Sequence, residues 1–303
     1  MKKDKRIAWN RIPPESLDLT GMKVIVVGGT GGIGQALSRF ISSRGAYVTV
    51  VGRTFREPDG SAIHFIKADL SSMDEARRVA SELDVASAHL ILFTTGTFAS
   101  PKREETSEGI VQDMAVSYLS RFVMIKEMLK RLGRGLSVSS PKPRIFIMGY
   151  PGGGQTGNAD DLNAEKSYNA LAVHLNTVAG NECLVLDLAM QYTKFNFYGL
   201  KPGLLPTNIR SNFMGANSFK FRAVEWLVSL VAMRTQRYAE QLTPLLVSPD
   251  IENYSGAMFD QKGNAILASP GLTRAHIDKF MYASDLLVER AFKNSIDKIT
   301  SDA

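Results

Sequence analysis

Cysteine is almost absent from this chain. Cys183 is the single one in 303 residues, which excludes an internal disulfide framework and any multi-cysteine metal site. Histidine is scarce too, and His64, His89, His174 and His276 are too widely spaced to make a recognisable ligand cluster. Long apolar runs are missing. Trp226–Met233 is short and flanked by Arg222 and Arg234, so no membrane span is expected. Strong charge of one sign is missing as well: the net +6 suits phosphate-bearing ligands but is too small and dispersed to argue for nucleic acid. The first residues, Met1–Arg6, are basic but lead into Trp9, Asn10 and Pro13-Pro14 instead of an apolar segment. That argues against a secretory signal or membrane anchor, and the expected location is the cytoplasm.

What is present is an alternation of strand and helix signals. Lys23–Val27 is a β-branched run followed by a glycine cluster; Ile33–Ser43 then carries apolar residues at helical spacing, and Ala46–Val51 is a second β-branched run. Strand, turn, helix and strand at this length make one right-handed crossover. Further strand candidates are Ile63–Lys67, His89–Phe93, Arg144–Met148, Lys194–Tyr198 and Ala257–Phe259, with helices expected over Ser72–Leu83, Ile110–Leu132 and Tyr168–Tyr192. The pattern predicts an α/β fold: a single Rossmann-type domain with a doubly wound parallel sheet. Residues 1–20 read as an N-terminal extension, 21–270 as the Rossmann-fold domain and 271–303 as a C-terminal helical tail. The apolar stretch Ser211–Gln236 breaks the sheet pattern and reads equally as a lid over a pocket or as plain core.

The turn after the first strand reads Gly28-Gly29-Thr30-Gly31-Gly32-Ile33-Gly34. Glycines at 28, 32 and 34 permit a tight turn with close backbone approach, and a helix N-terminus offers unpaired N–H groups to a pyrophosphate. In this strand–helix context the turn predicts a dinucleotide site. The second strand ends at Gly52-Arg53-Thr54, with Arg56 nearby. An acidic residue there would bind the ribose hydroxyls of NAD; Arg53 suits the 2′-phosphate of NADP, the favoured cofactor.

Several landmarks together resemble the short-chain dehydrogenase/reductase family. They are the glycines just named, Ala68-Asp69-Leu70-Ser71 after the third strand, Thr94-Thr95-Gly96 after the fourth, and Lys201-Pro202-Gly203-Leu204-Leu205-Pro206-Thr207. The resemblance runs from about Gly21 to about Ala268. It implies that Asp69 and Leu70 border the adenine, that Gly96 lies under the adenosine ribose, and that Thr207 meets the nicotinamide carboxamide. Asp161–Ala170, with Asn181 and Asp187-Leu188-Ala189, is similar to the retinol-dehydrogenase-like branch in particular.

That register exposes a departure. Members of the family use a Tyr-x-x-x-Lys pair on one helix, the tyrosine passing a proton and the lysine holding the nicotinamide ribose and lowering the tyrosine's pKa. The matching places here are His174 and Val178, and no tyrosine of the chain has a lysine four residues on. The family's serine is matched by Tyr150 and its helix asparagine by Ser117, while Phe93 and Thr94 stand where asparagines follow the fourth strand. His174 and Tyr150 are therefore the candidate catalytic residues, with Tyr150 as a hydrogen-bond donor, His174 as its partner, and no cation at 178. Bland readings stand beside these: a satisfied pocket histidine and an amphipathic core tyrosine. Asp160 and Asp161 read as capping and turn residues before they read as site carboxylates.

The function expected is an NADP(H)-dependent oxidoreductase of a small hydrophobic carbonyl or alcohol, with a non-standard active site. Two alternatives remain open: a non-redox isomerase, cyclase or dehydratase reusing the pocket, or a catalytically silent NADP(H)-binding regulator. The family resemblance also implies a possible homodimer through the helices at Ile110–Leu132 and Tyr168–Tyr192.

Overall fold

The computed structural model describes residues 1–137, 139–203 and 235–301. Eight strands form one sheet: β1 (Lys23–Val27), β2 (Tyr47–Gly52), β3 (His64–Lys67), β4 (Leu90–Phe93), β5 (Arg144–Met148), β6 (Asn196–Leu200), β7 (Met258–Phe259) and β8 (Ala265–Ile266). Their order is β3-β2-β1-β4-β5-β6-β7-β8. All neighbours run parallel except the last pair. Because β1 sits between β2 and β4, the chain reverses direction of winding there, and the C-terminal ends of those strands open the crevice where α/β sheets take ligands. The strands expected from β-branched runs are found within two residues. β8 is an addition, too short to leave a periodic signal.

Helices cover both faces. They are α1 (Gly32–Ser43), α2 (Met73–Glu82), α3 (Gln112–Met114), α4 (Ser120–Met128), α5 (Ala170–Gln191), α6 (Thr235–Val247) and α7 (Arg274–Ser301). The central strands β1, β4, β5 and β6 are buried almost end to end, which is why they read as continuous apolar runs instead of alternating ones. Two apolar cores result. One face packs β1, β4 and β5 residues against α2, α4 and α5, the other packs them against α1 and α6.

Local chemistry sets the helix starts. Ser72 caps α2 by accepting the Glu75 N–H at 3.2 Å, the S-x-x-E spacing of a capping box. The buried Glu108 carboxylate adds bonds from the Met73 N–H and the Ser72 hydroxyl, both 2.7 Å, and complements the positive helix end. Asn169 caps α5 through the Ala172 N–H.

α7 is built into the molecule. Ile277, Phe280, Ser284, Val288 and Ala291 are buried along one face of it, at the spacing of a helix stripe. Ser284 hydrogen-bonds the Tyr118 hydroxyl at 2.8 Å, and Phe280 meets the Tyr118 ring edge-on. α7 thus packs along α5 and α2, on the helical layer through which a homodimer was expected. At the other end of the chain, Lys3 bridges Ile266 on β8, and Trp9 donates its indole N–H to Gly263. No helix among the described residues is long and apolar enough to cross a membrane.

Candidate active site

The glycine turn is a cradle of backbone. Gly28 has φ +92°, and a Cβ on it would stand 2.6 Å from the Thr95 nitrogen; one on Gly34 would stand 2.3 Å from the Gly28 carbonyl oxygen. Both separations are closer than a real Cβ tolerates, so the ends of β1 and β4 and the start of α1 approach one another only because these residues are glycine. Gly32 also takes a positive φ. Gly31 caps α1 without a side chain, and no acid lies in the first turn. Among the described residues the first-turn N–H groups are therefore free of side-chain acceptors, the arrangement that binds phosphate. The Arg56 guanidinium lies beside Gly31, and the Thr30 side chain packs on Gly52 at the end of β2. Ile33 turns into the core.

Around this cradle stand the other residues expected to touch a nucleotide. Arg53 is exposed, and no ion pair with it is found among the described residues. Asp69 accepts the Ser71 N–H at 3.0 Å, next to buried Leu70. Thr94 donates its hydroxyl to the Val27 carbonyl. The Thr95 hydroxyl oxygen is buried with no partner, an unmet polar group at the mouth of the cradle. Gly96 faces Ser117. Pro202 and Gly203 follow β6, and Gly203, φ +75°, packs on Gln261. Residues 204–234, which include Thr207 and all but the last two residues of the expected lid 211–236, lie outside the described residues. The cradle, the unmet hydroxyl and the free cations fit a phosphate-bearing dinucleotide.

The second half of the site is made of side chains from distant elements. A π-helical turn, Ala115–Leu119, joins α3 to α4 and sets Asp113, Ser117 and Arg121 on one face at intervals of four. Asp113 is fully buried. One of its oxygens accepts the Ser117 hydroxyl, and the other meets His174 Nδ1 at 2.9 Å. His174 belongs to the second turn of α5, and its ring lies 4.1 Å from that of Phe98. An Asp113 carboxylate accepts from Nδ1–H, which leaves Nε2 as the free nitrogen of the ring. Arg121 is also buried and donates to the carbonyls of Thr95 and Met148 and to Asn181 Oδ1. It ties the ends of β4 and β5 to α5. Burial pulls its pKa down to about 9, against the opposing pull of the Asp113 charge.

Tyr150 stands at the strand end as expected, but with a different neighbour from the one expected. It follows β5, and no hydrogen bond joins it to His174. A cation does stand beside it: Lys201 Nζ lies 4.1 Å from the Tyr150 ring centroid. His174 is partnered by Asp113 because α5 passes over α3, whereas Tyr150 leaves the sheet beside β6. Asp160 and Asp161 are structural. Asp160 pairs with Lys279 at 2.6 Å, and Asp161 accepts N–H groups of the following loop. Neither Asp113 nor Arg121 was singled out in the sequence. Their signal was three polar residues, Asp113, Ser117 and Arg121, at i, i+4 and i+8 in an apolar helix.

No protein-family model matches the chain. It is 46% identical over 297 residues to a Saccharomyces cerevisiae protein named an uncharacterized oxidoreductase, covering 97% of this chain and 96% of that one. Human retinol dehydrogenase 12 is 23% identical over 214 residues, covering 64% of this chain and 65% of its own. A short-chain dehydrogenase/reductase from Serratia marcescens superposes with a TM-score of 0.57 at 17% identity, over 81% of this chain and 98% of that one. The chain belongs to the short-chain dehydrogenase/reductase family. As a member of that family it keeps the glycine cradle. It has no Tyr-x-x-x-Lys pair anywhere in its sequence.

Proposed function

We propose that this short-chain dehydrogenase/reductase is an NADP(H)-dependent oxidoreductase of a carbonyl–alcohol pair, in which His174 oriented by Asp113 moves the proton. The carrying observation is the 2.9 Å contact between His174 Nδ1 and Asp113. It lies on the helix where the family keeps its tyrosine, with His174 and Val178 in the places of tyrosine and lysine. A buried carboxylate that accepts from Nδ1 fixes the tautomer and stabilises the ring when it is charged. Nε2 then gives a proton to the substrate oxygen in reduction and takes it back in oxidation.

When bound, NADPH supplies the hydride. The chain's part is to hold it: the free N–H groups at Gly31–Gly34 for the pyrophosphate, Arg53 and Arg56 for the 2′-phosphate, and Thr94, Thr95 and Gly96 against the ribose. Val178 offers no donor to the second ribose. The substrate's apolar body rests on Phe98, beside His174. The naming of the yeast relative as an oxidoreductase supports the same reading.

The test is a titration of nicotinamide fluorescence with NADPH and NADH in the wild type and in Arg53→Glu, joined to a panel of ketones and aldehydes. NADPH is expected to bind about tenfold or more tightly than NADH, and the variant to lose that preference. Failure of both nucleotides to bind removes the redox reading. Tight NADPH binding without turnover of any carbonyl turns the chain into a nucleotide-binding regulator.

A further inference from the structure

Lys201 ends the apolar run of β6, and Tyr150 begins just past β5. The strands pair Met148 with Leu200, and the Gly149 N–H donates to the Leu200 carbonyl at 2.9 Å. The two residues therefore emerge side by side at the C-terminal edge of the sheet. The Lys201 backbone is held on both sides, its N–H by Phe259 and its carbonyl by the Tyr238 hydroxyl at 3.0 Å. Its Cα is thereby fixed beside Tyr150.

Lys201 is only 8% exposed, yet no carboxylate pairs with it among the described residues. Its ammonium touches the Tyr150 ring face and the Met1 sulfur at 3.8 Å, both weak neutral partners. The acidic side chains on the neighbouring elements are already committed. Glu182 accepts from the Gly152 N–H, the Ser269 N–H and the Ser269 hydroxyl. Asp260 accepts from Lys262, and from the backbone and side chain of Asn264. An ammonium on so buried a side chain, with no anion beside it among the described residues, is poorly compensated.

We infer that Lys201 receives the carboxylate of the substrate, with the Tyr150 hydroxyl as a second donor, so the substrate is an oxo or hydroxy acid with an apolar body. This rests on the proposed function for the reaction but not for the binding. A purely apolar substrate would leave the ammonium buried and unpaired. A carboxylate ends that penalty and turns it into discrimination between acids and their neutral analogues.

Calorimetry with octanoate and its neutral isostere octanamide tests this on the full chain. The wild type is expected to bind octanoate about tenfold or more tightly than octanamide. Lys201→Gln should bring the two within about twofold of each other, and Lys201→Arg should keep the preference. NADPH affinity should be unchanged in both. Equal affinity in the wild type, no octanoate binding, or a preference that persists in Lys201→Gln overturns the inference. So does a loss of NADPH affinity in Lys201→Gln without acid discrimination in the wild type, which would assign the lysine to a cofactor phosphate. If Lys201→Gln fails to fold, the wild-type comparison and Lys201→Arg still decide. Octanoate discrimination with no NADPH-dependent reduction of oxo-octanoic acids leaves the anion site standing and removes the oxidoreductase reading alone.

Discussion

The glycine turn after β1 and the cluster around His174 lie at the same edge of one sheet, yet they are assembled in opposite ways. The turn is a single stretch of seven residues, Gly28 to Gly34, whose proposed role rests on backbone N–H groups and on the absence of side chains. The His174 cluster draws Asp113 and Ser117 from α3 and the π turn, Phe98 from the loop after β4, and His174 from α5. Its proposed chemistry lies wholly in side chains that are far apart in sequence. A backbone cradle tolerates changes nearby so long as no Cβ is added, whereas a side-chain constellation can exchange its members while the fold stays the same.

The largest effect that would separate the two halves is expected from His174→Gln. It should lower kcat for carbonyl reduction about a thousandfold with NADPH affinity unchanged. Asp113→Asn should lose less, because the ring remains and only its orientation and charge stabilisation suffer. Activity that survives both changes moves the acid elsewhere and breaks the contrast.

Gly34→Ala is the reciprocal change. Its methyl group would press on the Gly28 carbonyl, and overpacking of this kind costs about 1–3 kcal/mol. NADPH affinity should fall by about a hundredfold at the upper limit, in a protein whose circular dichroism is native. Undiminished binding would show that the turn is not the phosphate cradle.

Smaller effects test the support beneath the site. Burial raises the pKa of Glu182 above its ordinary value of 4.5, only partly offset by hydrogen bonds from Ser269 and Gly152. Its folded-state pKa is the higher one, so the ionised form is disfavoured in the fold. Wild-type stability therefore declines as pH rises from the ordinary carboxyl value through the raised one. Melting curves of wild type and Glu182→Gln between about pH 4 and pH 7 should show the Tm difference moving in the variant's favour as pH rises; the opposite slope contradicts this. The smallest change is Tyr118→Phe. Loss of the hydroxyl bond to Ser284 should cost about 1 kcal/mol by denaturant unfolding, with NADPH binding untouched, because α7 braces the helical layer away from the cradle.

Much of the fold was legible because strands buried on both faces leave unbroken β-branched runs, as in Lys23–Val27 and Arg144–Met148. β8, only two residues long, left no such trace. Of the site, the cradle could be read directly, since a glycine pattern between a strand and a helix has a local cause. His174 was named through the family register with Tyr150 as its partner, and the structure pairs it with Asp113 instead. The helix that carries Asp113 continues through a π turn, and no sequence spacing reports how that helix crosses α5.

The sequence by itself determined the parallel sheet, the glycine turn with Arg53 at the end of the next strand, and the lack of a Tyr-x-x-x-Lys pair. Each of these depends on neighbours in the chain or on composition alone. Only the tertiary structure decided that His174 meets Asp113, that Lys201 lies buried over Tyr150 with no anion beside it among the described residues, and that α7 packs against α5. Those relations join residues brought together by strand order and helix crossing. Their energies arise from burial and from charges in a low-dielectric interior, which no local pattern encodes.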